Sequence, residues 1–299
     1  MYYFIIFLTT LSISYFLFHP ALAISCFCGA IDIPENRKIH TKPMARGGGW
    51  EFFMAFSSIL IFLPIKNDLK IPLLIGGTII FVVGFLDDTL NLSPFTKLSG
   101  QFLVLSIYFF TSELLNYKMS MFQGIFSAIW IIFLINATNF IDGIDGLASG
   151  ISSSQALCIS VISLIYNNID IFLCSILILG ATLGFIPRNF PKAKIFMGDC
   201  GALFLGFVQS VLSSRIVLES ESILCIISIL LVFRIPIYDA SFSIIRRLIK
   251  RKNPFKADKE HFHHKLLIHG FSKECTTLLL VTFSLLFGFL GVLLLLFDI

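Results

Sequence analysis

Long apolar runs recur so often along this chain that they decide the solvent in which it folds. A helix that crosses a bilayer needs about 20 mostly apolar residues. By that measure ten segments qualify, at approximately 2–24, 48–65, 71–86, 98–115, 123–138, 149–166, 169–187, 200–218, 222–238 and 276–297. Composition agrees: 57% of the 299 residues are hydrophobic and only 13% are charged, against about 25% charged in a soluble domain. The expected fold is therefore all-α, a polytopic membrane helical bundle of about ten transmembrane helices. It should form one domain over 1–299, since no internal repeat or linker interrupts it. A net charge of +4 gives no reason to invoke nucleic acid. The seven cysteines, Cys26, Cys28, Cys158, Cys174, Cys200, Cys225 and Cys275, are odd in number and lie mostly in apolar runs, so no disulfide framework is expected. Cys26-x-Cys28 alone is too weak to mark a metal site.

The connections sort into two kinds. "KNDLK" at 66–70, "NYKMS" at 116–120, "NNID" at 167–170 and "ESES" at 219–222 are short, whereas those on the other side are longer. Lys66, Lys70 and Lys118 are the only basic residues on the short side, so the longer loops are assigned to the cytoplasm and both termini to the periplasm. "ALA" at 21–23 resembles a signal-peptidase site, and cleavage there would invert the topology. The basic segment that should precede such a site is missing, and inversion would place "RRLIKRK" outside.

Four polar clusters then emerge on one membrane face: 85–97 with Asp87, Asp88 and Lys97; 136–148 with Asn139, Asp142 and Asp145; 189–201 with Asp199; and 236–270 with Arg246, His261, His263 and His264. Each has a plain explanation as a helix end, a turn, a cap or a topogenic signal. Together they say more, because ionisable groups at membrane depth are costly and mark a site by default. The carboxylates and amide are hard oxygen donors suited to Mg²⁺ or Mn²⁺ with positions left for phosphate oxygens. Lys97, Arg188, Lys192, Lys194, Arg246 and Arg247 are suited to anionic groups. Acid, metal and base on one face are the parts that phosphoryl transfer uses. In 239–252, Phe242, Ile245, Leu248 and Ile249 oppose Arg246, Arg247, Lys250 and Arg251 at helical spacing, predicting an amphipathic helix in the interface.

The order Asp87-Asp88, Lys97, "NATNFIDGIDGLA", "MGDCG" and "DxxxxxxRR…PFKADKEHFHH", with "DIPENRKIHTKPMARGGG" upstream, closely resembles the polyprenyl-phosphate N-acetylhexosamine-1-phosphate transferases. That family includes enzymes that initiate O-antigen, enterobacterial common antigen and teichoic acid, and the phospho-MurNAc-pentapeptide transferase of peptidoglycan synthesis. The resemblance implies an enzyme of the bacterial inner membrane that moves a sugar-1-phosphate from a UDP-N-acetylhexosamine, UDP-GlcNAc by expectation, to undecaprenyl phosphate with release of UMP. It implies catalytic roles for Asp87, Asp88 and Asp199. Mg²⁺, or Mn²⁺ in its place, would sit at Asp199 with Asn139. Substrate contacts are implied at Lys97, Asp142, Asp145, Arg246, His261, His263 and His264, and membrane lipid and a homodimer partner complete the expectation. His261-x-His263-His264 differs from the contiguous triplet of the peptidoglycan enzyme and points to the N-acetylhexosamine branch. Zinc is disfavoured at these histidines because no tetrahedral ligand spacing accompanies them. The rival from another class, a cation-coupled transporter, would place its carboxylates near the bilayer midplane.

Overall fold

The computed structural model describes residues 1–34, 43–115, 117–250 and 261–297. Its elements, in chain order, are α1 (Tyr2–Phe16), α2 (Phe18–Cys28), β1 (Ile31–Asp32), β2 (Met44–Ala45), α3 (Gly49–Leu60), α4 (Asn67–Leu90), α5 (Pro94–Leu114) and α6 (Met121–Ile141). They continue as α7 (Leu147–Ile165), α8 (Ile169–Asn189), α9 (Gly198–Ser220), α10 (Ile223–Val232), α11 (Arg234–Ile249), α12 (Phe262–Ile268) and α13 (Lys273–Leu294). The chain is a multi-pass helical membrane protein. Among the described residues six helices are long and apolar enough to cross a bilayer, or eight if the bent pairs α1–α2 and α10–α11 each count as one. The other two of the ten expected segments correspond to α3 and α5. The 12 residues of α3 reach only about 18 Å, short of a hydrocarbon core of about 30 Å. Lys97, Gln101 and Glu113 dilute the hydropathy of α5.

Both bends have the same cause. A prolyl nitrogen cannot donate to the carbonyl four residues earlier. Pro20 would address Phe16, where α1 stops, and the axis turns by 42°. Pro236 would address Val232, where α10 stops, and the axis turns by 77°. The segment expected as one span at 222–238 is thus broken. Its second part continues as α11, which contains the expected amphipathic stretch up to Ile249; Arg251 lies outside the described residues.

Helix α9 is the centre of the bundle, packed by α3, α4, α6, α7, α8 and α10. Without a hydrophobic force between helices in lipid, small and hydroxylated residues carry such contacts. Ser214 pairs with Ser127 at 2.8 Å, and Ser213 accepts from the Trp130 indole N–H at 2.9 Å. At the periphery α13 exposes Leu278, Phe283, Leu286, Phe289 and Leu290, a surface suited to acyl chains.

Antiparallel α4 and α9 are pinned at the end remote from the four polar clusters. Buried Arg215 donates to the Asp68 carboxylate at 3.0 Å and to its carbonyl at 2.6 Å. Its guanidinium also stands 3.2 Å from the centroid of the Tyr117 ring.

Candidate active site

The opposite end of the α4–α9 pair carries the acidic residues. Helix α4 stops at Asn91, which takes a left-handed conformation (φ 51°). Two residues later Ser93 caps α5, accepting from the Thr96 N–H at 3.2 Å, with Pro94 at the first helical position, where its missing N–H costs nothing. This tight reversal sets the last turn of α4 against the first turn of α5. Lys97 Nζ consequently donates to Asp87 Oδ2 at 2.6 Å and to Asp199 Oδ2 at 2.8 Å. The other oxygen of Asp87 accepts the Leu92 N–H at 2.8 Å.

Asp199 opens α9, where the first turn leaves backbone N–H groups without partners in the helix. Asp88 supplies them from across the bundle, its two oxygens accepting from the N–H groups of Asp199 and Cys200 at 2.9 and 3.0 Å. This contact needs the two backbones close together. A Cβ on Gly84, one turn before Asp88, would lie 2.5 Å from Cys200 Cα. Gly198 has φ 75°, and a Cβ there would meet the Arg46 carbonyl and the Asp88 carboxylate. The chain ahead of α3 is knitted to the same turn. Phe196 N–H donates to the Ala45 carbonyl at 2.8 Å, and Gly48 and Gly49 N–H donate to Phe196 and Met197 at 2.9 Å each. That weave delivers Arg46, whose Nε stands 3.9 Å from oxygens of both Asp32 and Asp88.

A second acidic element follows α6. Asn139 lies in the last turn of that helix, its carbonyl accepting from the Asp142 N–H at 3.2 Å. Its side chain is half-buried and makes no hydrogen bond among the described residues. Burial, reinforced by the charge of Asp199 and opposed by Arg46, pushes the Asp142 carboxyl up to about 7. Asp145 is differently employed: its carboxylate accepts the Ala193 N–H at 3.1 Å and its carbonyl accepts from Thr277 at 2.9 Å. Asn189 ties the turn to the 190–195 loop. Its Oδ1 accepts from Gly146 N–H and Ser149 while its amide donates to the Ile195 carbonyl.

The histidines arrive from α12 and the residue before it. His261 Nδ1 is 2.7 Å from Asp239 Oδ2, and Phe262 N–H donates to Asp239 Oδ1 at 2.6 Å. His261 and His263 stack with ring centroids 5.8 Å apart, and His264 lies 4.3 Å from His263. His263 is 2% exposed, and its Nε2 lacks a partner among the described residues. That nitrogen lies over Gly143, where any Cβ would overlap the ring. Burial, with His264 adding to it and Asp239 opposing, pushes the His263 ring down to about 3. It is therefore neutral near pH 7.

The structure brings Asp87, Lys97 and Asp199 into direct contact, with Asp88 behind them and Asp142 near Asp199. His263 covers the 142–145 turn at Gly143, and His261 lies beside the Phe140 ring with centroids 5.5 Å apart. Among the basic residues expected to face anions, Arg188 instead lies over the Tyr15 and Phe18 rings at 4.6 and 4.8 Å. Arg247 is buried, its guanidinium 5.9 Å from the Phe140 ring. Arg246 is half-buried beside Phe242 at 5.6 Å. Phe242, Ile245, Leu248 and Ile249 are all exposed, forming the apolar face expected of an interfacial helix. Sequence pattern alone assigns no role to Arg46, Asn189 or Asp239. Their only signals were a basic residue before "GGG", an Asn at the end of an apolar run, and the Asp that precedes the Arg pair.

Among the described residues no three His, Cys, Asp or Glu side chains gather to hold a metal by themselves. Mg²⁺ commonly takes only one or two carboxylates and fills its shell with water and phosphate. Carboxylate oxygens from two helices converge here on a single ammonium, so the donor chemistry fits such a cation.

Residues 71–217 match the model of Glycosyl transferase family 4. The segment includes Asp87, Asp88, Lys97, Asn139, Asp142, Asp145 and Asp199 and stops before the histidines. The chain is 34% identical over 271 residues to the probable undecaprenyl-phosphate N-acetylglucosaminyl 1-phosphate transferase of Bacillus subtilis, covering 87% of this chain and 76% of that one. It is 34% identical over 263 residues to the undecaprenyl-phosphate alpha-N-acetylglucosaminyl 1-phosphate transferase of Thermotoga maritima, covering 87% and 80%. A phospho-N-acetylmuramoyl-pentapeptide-transferase of Latilactobacillus sakei is 30% identical over 268 residues, covering 80% and 81%.

Proposed function

This chain belongs to glycosyl transferase family 4, and from that membership and the geometry of the site we propose that it transfers GlcNAc-1-phosphate from UDP-GlcNAc to undecaprenyl phosphate. The lipid phosphate attacks the β-phosphorus, the bond from that phosphorus to the α–β bridging oxygen breaks, and UMP leaves with that oxygen. The product is a lipid-linked diphosphate sugar, the first intermediate of a cell-envelope glycan. The observation that carries this reading is the convergence of Asp87 and Asp199 on Lys97 at a helix end, beside the acidic 142–145 turn. Acidic residues at one edge of the bundle suit a reaction at the membrane surface better than a transport site at the midplane.

A phosphate monoester has its second pKa at about 6, so the lipid phosphate needs little help from a base. The protein has to align two anions and offset their repulsion. Lys97 supplies a fixed positive charge at the meeting point, and Arg46 adds a second behind it. Asp88 has both oxygens committed to the start of α9, so it positions Asp199 rather than touching substrate. Asp199 and Asn139 would hold Mg²⁺, which when bound supplies charge neutralisation at the diphosphate. Asp142 and the His261–His264 segment would face the nucleotide-sugar, while α11 would gather the lipid acceptor, with Arg246 near its phosphate. The Lys and Arg bias among loops supports a cytoplasmic position for this end of the bundle in the bacterial inner membrane, with both termini outside.

The relatives named for N-acetylglucosaminyl transfer and the His-x-His-His spacing favour GlcNAc over the MurNAc-pentapeptide substrate. Incubating the purified protein with undecaprenyl phosphate and a panel of UDP-sugars tests the reading. UMP and a lipid-linked product should form with UDP-GlcNAc. Turnover of UDP-MurNAc-pentapeptide alone would overturn the choice of sugar, and no UMP from any donor would overturn the reaction.

A further inference from the structure

Asp239 sits in α11, 4% exposed, with nothing in the transfer reaction yet assigned to it. Both of its oxygens are engaged by the segment that carries the histidines. Oδ1 accepts the backbone N–H of Phe262 at 2.6 Å, and Oδ2 lies 2.7 Å from Nδ1 of His261. Ser243 Oγ also approaches Nδ1, at the longer distance of 3.3 Å. A carboxylate only accepts, so the imidazole must carry its proton on Nδ1 to satisfy the contact. His261 is itself 7% exposed and stacked at an interplanar angle of 2° on His263, so it cannot swing to a different pairing without breaking that stack. The result is a ring fixed in place, with Nε2 as the nitrogen left for a ligand.

We propose that Asp239 is a positioning residue of the transferase: it sets the tautomer and orientation of His261 so that Nε2 faces the nucleotide-sugar diphosphate. This rests on the reading of the reaction given above. The logic is that of a carboxylate orienting a functional imidazole, here with a second task. The same carboxylate docks the backbone at Phe262 and thereby brings His263 over Gly143. Two donors reach Asp239 at once, and only a side chain with two acceptor oxygens serves both. An amide at this position keeps one. The Phe262 N–H has no alternative to donating, whereas the imidazole can reverse its roles. In Asp239→Asn the Oδ1 atom should therefore stay on Phe262 while the NH₂ group faces Nδ1, forcing the proton to Nε2.

This substitution separates orientation from docking, because a side chain that served only to dock the loop would be replaced well by Asn. The test is ¹⁵N NMR of histidine-labelled full-length protein in detergent micelles, with His261→Gln used to assign the signals. UMP release is followed alongside. The wild type should show His261 protonated on Nδ1, and Asp239→Asn should show it protonated on Nε2 at normal yield and monodispersity. Asp239→Asn should lose on the order of 10²-fold or more in kcat/KM for the UDP-sugar. Asp239→Glu, which keeps both acceptors, should recover part of that loss, and Ser243→Ala should change little. A wild-type ring protonated on Nε2, or an Asn variant with unchanged tautomer and turnover, would overturn the proposal. If the tautomer switches as described but the wild type releases no UMP from any UDP-sugar, the positioning by Asp239 is upheld and the transfer reaction is what fails.

Discussion

The register between α4 and α9 sets the distance from Asp87 and Asp88 to Asp199, and Gly84 is where that register is most sensitive. Adding one methyl group, Gly84→Ala, places a Cβ 2.5 Å from Cys200 Cα, 2.6 Å from the Asp199 carbonyl oxygen and 2.6 Å from Cys200 N. All three neighbours are backbone, so no side chain can turn away. Ordinary contact begins at about 3.5 Å, and the helices must separate by about 1 Å to reach it. Overpacking of this kind costs about 1–3 kcal/mol, tolerable for a bundle that remains pinned at its other end by Arg215 and Asp68. A misplacement of about 1 Å at reacting groups can cost on the order of 10²-fold in rate. Gly84→Ala should therefore purify as a monodisperse protein, with a modestly lower Tm and a loss of about 10²-fold in UMP release. Gly124→Ala is the matched control, because its Cβ would meet only Phe109 at 3.9 Å. Wild-type turnover by Gly84→Ala, or equal losses in both variants, would refute the link between helix register and activity.

Two further outcomes follow from the charges. Lys97→Ala leaves Asp87 and Asp199 facing each other without their shared cation and should reduce UMP release by about 10²-fold. Lys97→Arg should restore little, since a planar guanidinium does not replace a point charge bridging two carboxylates. The second concerns His263, whose ring is pushed down to about 3 by burial while the unfolded ring titrates near about 6.5. Between those values the unfolded chain binds more protons, so this residue's contribution is intact above about 6.5 and is lost as pH falls toward 3. The Tm of His263→Gln should accordingly gain on that of the wild type as pH is lowered from 7 to 4.5. A constant difference between the two across that range would contradict the burial of a neutral ring.

Solvent, helical class and the acidic residues of the candidate site are legible because each rests on local pattern. Apolar runs announce helices in lipid. Asp87, Asp88, Asn139, Asp142 and Asp199 stand out because ionisable and amide groups at the ends of such runs are expensive there. The breaks after Phe16 and Val232 also have local causes in Pro20 and Pro236, although hydropathy windows run across both. What escaped the sequence depends on long-range contact. Asp87 and Asp88 are adjacent and alike, yet one faces Lys97 while the other caps a helix that begins 110 positions later. Arg46 reaches the site only through the backbone weave with Phe196 and Met197. Arg188 carries the charge expected of an anion-binding residue but lies over the Tyr15 and Phe18 rings. Arg215 carries no local signal because its partner Asp68 lies on a different helix, at the end away from the site.

The measurement that bears most directly on the account is UMP release from UDP-GlcNAc and undecaprenyl phosphate by the wild type and Asp199→Asn, with Mg²⁺ titrated back after EDTA. EDTA should abolish release and Mg²⁺ should restore it. Asp199→Asn, folded and monodisperse, should fall by on the order of 10²-fold or more at any Mg²⁺ concentration. Full turnover in EDTA, or by Asp199→Asn, would contradict the account.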